Sequence, residues 1–111
     1  MIMNQRSSDY EVSCAISELQ YIALQLMVAK VCGFKPGMFT HIIENVQIYD
    51  RHVNNVKNLL TREPVKCCPQ LILDTDKIDF YEFTIDDFVL TDYPVDKIKE
   101  KNPQMKFDLG I

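Results

Sequence analysis

Residues 16–33 read Ile-Ser-Glu-Leu-Gln-Tyr-Ile-Ala-Leu-Gln-Leu-Met-Val-Ala-Lys-Val-Cys-Gly, and the predicted fold is built around this apolar run. It predicts a helix over about 16–32 that ends where Gly33 supplies a left-handed residue. Ser13 or Ser17 has the right position to cap the first turn. Apolar side chains surround almost the whole helix, so we expect it to be buried nearly all round.

The segments beside this helix predict a sheet. Residues 1–7 suit a short extended segment, and residues 38–49 have the β-branched and aromatic content of a strand. The alternation of that strand changes phase near Glu44 and Asn45, which indicates a bulge or bend.

The second half predicts one more helix and two short strands. Asp50 can cap an amphipathic helix over about 51–62, and strands are expected at 70–73 and 87–92. The last fifteen residues suit a surface tail. The predicted fold is therefore α+β, a single domain over residues 1–111 with one buried helix and a second amphipathic helix against a small sheet.

Length and charge exclude several classes of protein. At 111 residues the chain fits one domain, and a chain this short leaves room for a core that continues into a partner. The net charge of −4 argues against a nucleic-acid coat. The apolar run falls short of the ~20 residues of a membrane span and no signal peptide is apparent, so we expect a cytoplasmic protein without a membrane span.

Cysteine and histidine positions give no strong site. The cysteines are Cys14, Cys32, Cys67 and Cys68. They contain no C-x-x-C pair, so we expect free thiols with neither disulfides nor zinc. His41 and His52 have no third partner at metal or catalytic spacing, and each is interpreted as structural.

Three polar or aromatic clusters remain. Arg6 to Asp9 combines a guanidinium with hydroxyls, which suits a phosphate or an ordinary turn with a surface ion pair. Asn45, Gln47 and Tyr49 share one strand face, where they could line a polar pocket or face water. The cluster over residues 80–83, Phe-Tyr-Glu-Phe, is interpreted as core.

Six segments in order resemble the C-terminal part of thymidylate synthase. They are Gln5-Arg6-Ser7-Ser8-Asp9, the apolar helix, Phe39-Thr40-His41, Ile48-Tyr49-Asp50-Arg51-His52, Arg62-Glu63-Pro64 and Asp79 to Phe88. The resemblance implies a family that transfers and reduces a one-carbon unit from methylenetetrahydrofolate onto the pyrimidine of dUMP. It also implies a homodimer with a large sheet at the subunit interface.

The resemblance assigns roles to single residues. Arg6 and Ser7 stand where the family binds the nucleotide phosphate, Asp9 at its folate-side aspartate, and Tyr49 at the tyrosine that hydrogen-bonds the deoxyribose. These roles favour the phosphate interpretation of the Arg6 segment. No metal role is implied.

Several positions depart from the family pattern. The nucleophilic cysteine, in a Pro-Cys-His motif upstream of the Gln-Arg-Ser strand, has no counterpart, and Cys14 lacks a flanking base. Ser17 replaces the pyrimidine-reading asparagine, and Gln47 replaces a histidine; these two departed positions are expected to form the edge of the site that reads the base. We therefore expect no catalytic residue in this chain and no tight binding of methylenetetrahydrofolate to the chain alone.

Three functions stay open at this point. The chain is a catalytically incompetent nucleotide-binding or structural module, the C-terminal half of a split or truncated synthase, or a relative of the pyrimidine-nucleotide hydroxymethylases. We expect a dimer, a pyrimidine deoxynucleotide ligand and, for the second function, a separate N-terminal half.

Overall fold

A computed structural model describes residues 1–108 of the chain. Three short 3-10 turns and a π-helical turn, Tyr10–Cys14, connect the regular elements. Those elements are strands β1 (Ile2–Asp9), β2 (Thr40–Gln47), β3 (Gln70–Leu73) and β4 (Phe88–Thr91), and helices α1 (Ala15–Val31), α2 (Val53–Leu60) and α3 (Val95–Lys101). The α+β class and the order of the predicted elements are confirmed.

The strands form two separate two-stranded sheets, where one small sheet was expected. Strands β1 and β2 are parallel. Parallel neighbours need a long crossover connection, and α1 provides it, so the three elements form a βαβ unit. Strands β3 and β4 are antiparallel. The expected bulge at Glu44 and Asn45 is wrong, because the β1–β2 register keeps the same offset from Gln5↔Ile43 to Ser7↔Asn45.

Helix α1 is not buried all round, so that prediction is wrong for the chain by itself. Among the described residues, Cys14 and Ala29 are the buried apolar ones, whereas Ile16 is 61% and Leu19 54% exposed. The accessible surface is 8787 Å², well above the roughly 6300 Å² of a compact protein of this mass. The cause is that two small sheets cover only part of a helix that is apolar on most sides.

The ends of α1 confirm one prediction and overturn another. Gly33 has φ +69°, and the amide of Phe34 donates to the carbonyl of Ala29 at 2.8 Å, as a left-handed helix stop requires. The serine caps are wrong, because the chain enters α1 through the π-helical turn. There the Ser13 hydroxyl donates back to the carbonyl of Asp9 at 2.9 Å.

The cap on the second helix is also wrong. Asp50 lies inside a 3-10 turn, Asp50–His52, that leads directly into α2, and its side chain caps neither element. The turn brings the buried His52 to the start of α2.

The chain after α3 packs against α2, so the surface-tail prediction is wrong for its described part. Three side chains on or beside α2 donate hydrogen bonds to backbone carbonyls of the segment that follows α3. Arg62 Nη1 donates to Pro103 at 2.7 Å, Asn55 Nδ2 to Lys106 at 3.0 Å, and His52 Nε2 to Asp108 at 2.9 Å. Residues 109–111, which belonged to the predicted tail, lie outside the described residues.

The acidic segment before β4 is organised around a carboxylate, and the core interpretation of residues 80–83 is wrong. Tyr81 is 92% exposed, whereas Asp87 is buried. Asp87 Oδ2 accepts from Lys77 Nζ at 2.8 Å, from the Thr84 amide at 2.7 Å and from the Thr84 hydroxyl at 3.1 Å. These donors hold the pKa of Asp87 well below its usual value, the lysine having the largest effect. Asp87, Lys77 and Thr84 are called the Asp87 cluster below.

One helical segment is long and apolar enough to cross a membrane. Tyr10–Val31 spans 22 residues with a mean hydropathy of 1.4, by length and composition alone. The core helix of a soluble protein passes the same test, so this is weak evidence, and the absence of a membrane span stays a prediction.

Candidate functional site

Polar side chains from the two parallel strands meet at the carboxyl ends of β1 and β2. The register pairs Ser7 with Asn45 and Asp9 with Gln47, and Tyr49 follows two residues later. Paired residues of neighbouring strands point to the same face of a sheet. The structure therefore brings four of the polar candidates, from two distant segments, to one sheet end.

The two expected phosphate residues are neighbours that face opposite ways. Exposure alternates along β1, with Arg6 exposed and Ser7 half-buried. The described residues give the Arg6 guanidinium no hydrogen-bond or ion-pair partner, while the Ser7 carbonyl accepts from Gln5 Nε2 at 3.0 Å. Arg6 is thus a cation available to an external anion.

Asp9 carries a buried oxygen without a partner among the described residues. Its carboxylate Oδ1 has no hydrogen bond there. A buried acceptor without a donor costs about 1–3 kcal/mol. The site therefore offers a position for an external N–H or O–H donor.

Tyr49 is held by its neighbours and remains 42% exposed. The Arg51 guanidinium carbon lies 5.1 Å from the centre of its ring, and the buried His52 meets the ring edge-on at 6.0 Å. His52 is in turn hydrogen-bonded to the Asp108 carbonyl. These contacts fit the structural interpretation of His52 and fix the place of the tyrosine.

Ser17 lies apart from Gln47, with which it was expected to read the base. It borders a cavity of about 270 Å³ with residues from β1 and α1. Those residues are Met3, Asn4, Gln5, Gln20 and Tyr21. Gln47 instead pairs with Asp9 at the end of the sheet, and it does not line the cavity that Ser17 borders.

A further cluster, missed from sequence, joins Cys14, Glu18 and His41; it is called the Cys14 cluster below. Glu18 Oε1 lies 3.0 Å from His41 Nδ1 and 3.5 Å from Cys14 Sγ, and the three donor atoms lie within 4.8 Å of one another. Burial, followed by hydrogen bonding to Glu18, raises the pKa of the Cys14 thiol. The i, i+4 spacing of Cys14 and Glu18 is visible in sequence, but the contact with His41 on β2 is not.

The fold and these strand ends define an α+β domain whose polar site lies where two parallel strands end. The chain belongs to the thymidylate synthase family, since the profile of that family matches residues 1–105. Thymidylate synthases of Streptococcus agalactiae and Streptococcus pneumoniae are each 44% identical to it over 110 residues.

These relatives are much longer than the chain. The match covers 98% of this chain but 38% of each streptococcal protein. A solved thermostable thymidylate synthase A from Bacillus subtilis is similar with a TM-score of 0.73 and 37% identity, over 81% of this chain and 32% of the other. The chain thus corresponds to one part of a thymidylate synthase, as the resemblance predicts.

Proposed function

We propose that this chain forms the phosphate, sugar and folate-side wall of a thymidylate-synthase-type site and does not catalyse the reaction by itself. The observation that carries the proposal is the β1–β2 register, which pairs Ser7 with Asn45 and Asp9 with Gln47 beside Tyr49. The whole reaction, methyl transfer from methylenetetrahydrofolate to dUMP, then requires further thymidylate synthase residues, in this polypeptide or in another.

Arg6 and Ser7 are proposed to hold the nucleotide phosphate, with the long Arg6 side chain reaching it from the opposite face of β1. The guanidinium of Arg6 is exposed and has no partner within residues 1–108, so binding an anion breaks no existing pair. A charge-assisted bond of this kind is worth about 1.5–3 kcal/mol, and less in open water. The phosphate contact of this chain alone should therefore be weak.

Asp9 and Tyr49 are proposed for the folate side and the sugar. The unpartnered Asp9 oxygen can accept from a donor group of methylenetetrahydrofolate, whose role is to supply the one-carbon unit. The Tyr49 hydroxyl can donate to or accept from a sugar hydroxyl. Both side chains bind and orient the ligands through hydrogen bonds, and neither forms a covalent bond to them.

Base recognition is proposed to be poor in this chain. Ser17 has a single hydroxyl where an amide would offer a paired donor and acceptor. Gln47 has an amide, but it lies at the sheet end away from the cavity that Ser17 borders. We expect dUMP and dCMP to be scarcely distinguished.

Turnover by the chain alone is not expected. Cys14 is 5% exposed and its pKa is raised, so the thiolate needed for attack on a pyrimidine is disfavoured. The exposed apolar face of α1 favours association in the cytoplasm, with a second copy as a dimer or with a chain that carries the remaining synthase residues.

An NMR titration tests the binding proposal. The full chain is titrated with dUMP, dCMP and inorganic phosphate, and millimolar dUMP binding with shifts at Ser7, Asp9 and Tyr49 is expected. Arg6→Ala should abolish it, while Lys35→Ala, which removes an exposed lysine, should not. Binding that Arg6→Ala leaves unchanged would contradict the phosphate assignment.

A complementation assay separates the split-synthase alternative. The chain is mixed with the preceding part of a streptococcal thymidylate synthase, and formation of dihydrofolate from methylenetetrahydrofolate and dUMP is followed. Activity that appears in the mixture, but in neither part by itself, would show that the chain acts as the C-terminal half of a split synthase. Micromolar dUMP affinity with rejection of dCMP would overturn the inactive-module proposal, and preference for dCMP would favour the hydroxymethylase alternative.

A further inference from the structure

In the Cys14 cluster, the side chain of Gln5 decides which ring nitrogen of His41 faces Glu18. Gln5 Nε2 donates to the Ser7 carbonyl at 3.0 Å, so the other amide atom, Oε1, faces His41 Nε2 at 2.9 Å. A carbonyl accepts only, so His41 Nε2 must carry the proton of this bond. The lone pair of neutral His41 is therefore on Nδ1, which faces a carboxylate.

The contact between His41 Nδ1 and Glu18 Oε1 brings two acceptors to 3.0 Å. Only an added proton or a metal ion between them makes such a contact favourable. The Cys14 thiol points at the same Glu18 oxygen at 3.5 Å. Nitrogen, oxygen and sulfur donors thus converge on one small volume.

We propose that Cys14, Glu18 and His41 bind a zinc-type divalent cation, with water as the fourth ligand. This goes beyond the proposed function, since none of the three residues has a role in nucleotide binding. Ligand atoms of a tetrahedral zinc lie about 3.3–3.7 Å apart, given its usual bond lengths. The separations of 3.0 and 3.5 Å, with all pairs within 4.8 Å, need only small side-chain shifts to match.

Charge and surroundings favour this occupant. A thiolate and a carboxylate neutralise a dication, and the proton displaced from the Cys14 thiol passes to solvent. The His41 side chain is 7% exposed and Glu18 44%, so the ion would be shielded on one side and open on the other. A cavity of about 240 Å³ borders Cys14 and Glu18 on the open side and has room for water.

The bond from His41 to Gln5 supplies the outer support that metal sites use. A ligating histidine usually donates its second ring N–H to a carbonyl or carboxylate, which fixes its tautomer. Here Gln5, anchored on the Ser7 carbonyl, takes that place. A bound ion would join α1 to β2 and so fix the helix on the strands that carry the nucleotide site.

Zinc titration of the full chain against a chelating indicator tests the proposal. A Cys32→Ser/Cys67→Ser/Cys68→Ser variant keeps Cys14 as its one thiol and should bind one zinc as wild type does. Adding Cys14→Ser should weaken binding at least about 100-fold, and Gln5→Leu about 10-fold. Glu18→Gln changes a half-exposed side chain, so it tests the site without risk to the fold.

Cobalt(II) absorption shows directly whether the Cys14 thiolate binds the metal, which a purely structural role of Cys14 would not produce. With cobalt(II) in place of zinc, wild type and the triple-serine variant should show a thiolate-to-metal charge-transfer band that Cys14→Ser abolishes. Circular dichroism of each variant confirms folding. Zinc binding equal in wild type and Glu18→Gln, cobalt binding without the thiolate band, or no binding at millimolar zinc would each overturn the proposal.

Discussion

The Asp87 cluster and the Cys14 cluster are both small groups of polar side chains, and they differ in how donors and acceptors are matched. In the first, three donors surround one carboxylate oxygen of Asp87. In the second, a carboxylate oxygen faces a histidine ring nitrogen and a thiol. The first is complete without a ligand, whereas the second brings together the three atoms that are proposed to bind a cation.

A large effect is expected from breaking the complete cluster. Asp87→Asn replaces a charged acceptor by an amide, so the bonds to Lys77 and to the Thr84 turn weaken together. We expect the melting temperature to fall by several degrees. Asp86→Asn, an exposed neighbour with the same change in charge, is the control for thermal unfolding. Equal shifts in the two variants would contradict the structural role of Asp87.

The same cluster predicts a dependence on pH. The pKa of Asp87 is lowered on folding, so its contribution is fully present above the unfolded pKa of about 3.9 and is lost as the pH falls through the lower folded value. The stability difference between wild type and Asp87→Asn should thus be constant near neutrality and shrink below about pH 4. Urea unfolding at a series of pH values measures it. If the stability difference between the two chains instead changes between pH 5 and pH 8, the lowered pKa of Asp87 is not its cause.

Zinc should act on the other cluster alone. Zinc at 100 times its dissociation constant stabilises the folded chain by about 2.7 kcal/mol. We expect that shift in wild type and also in Asp87→Asn, because the two clusters share no residue. Cys14→Ser should lose it, and Cys32→Ser should keep it. Thermal unfolding with and without zinc is the measurement, and a shift that survives Cys14→Ser would place the zinc elsewhere.

The comparison also explains how far sequence could predict this structure. The elements followed from local patterns: the α1 stop at Gly33 needs only a left-handed residue, and β3 was predicted at its exact bounds. Sequence did not reveal the contact of His41 with Glu18, 23 residues away, because strand register fixes it. The packing of Asp108 on His52 likewise depends on long-range contacts.

The candidate site, too, could be predicted from sequence only in part. Arg6, Ser7, Asp9 and Tyr49 were predicted from an ordered resemblance, and their roles stay predictions. Strand alternation already implies that Arg6 faces away from Ser7, but sequence could not show which of the two faces is covered. Helix α1 was expected to be buried because its composition is apolar, but composition does not say which chain covers it.

The smallest expected effect is the coupling between Glu18 and His41 without metal. Glu18 is 44% exposed, so water screens the pair, and a double-mutant cycle with Glu18→Gln and His41→Asn in chelator should give about 0.2–1 kcal/mol. In saturating zinc both residues become ligands of one ion, so losing either removes most of the binding energy. The measured coupling should then grow well beyond the metal-free value. Urea unfolding of the four chains in both conditions gives the two cycles. If the coupling is the same with and without zinc, the pair is an ordinary ion pair, and the Cys14 cluster is as complete as the Asp87 cluster.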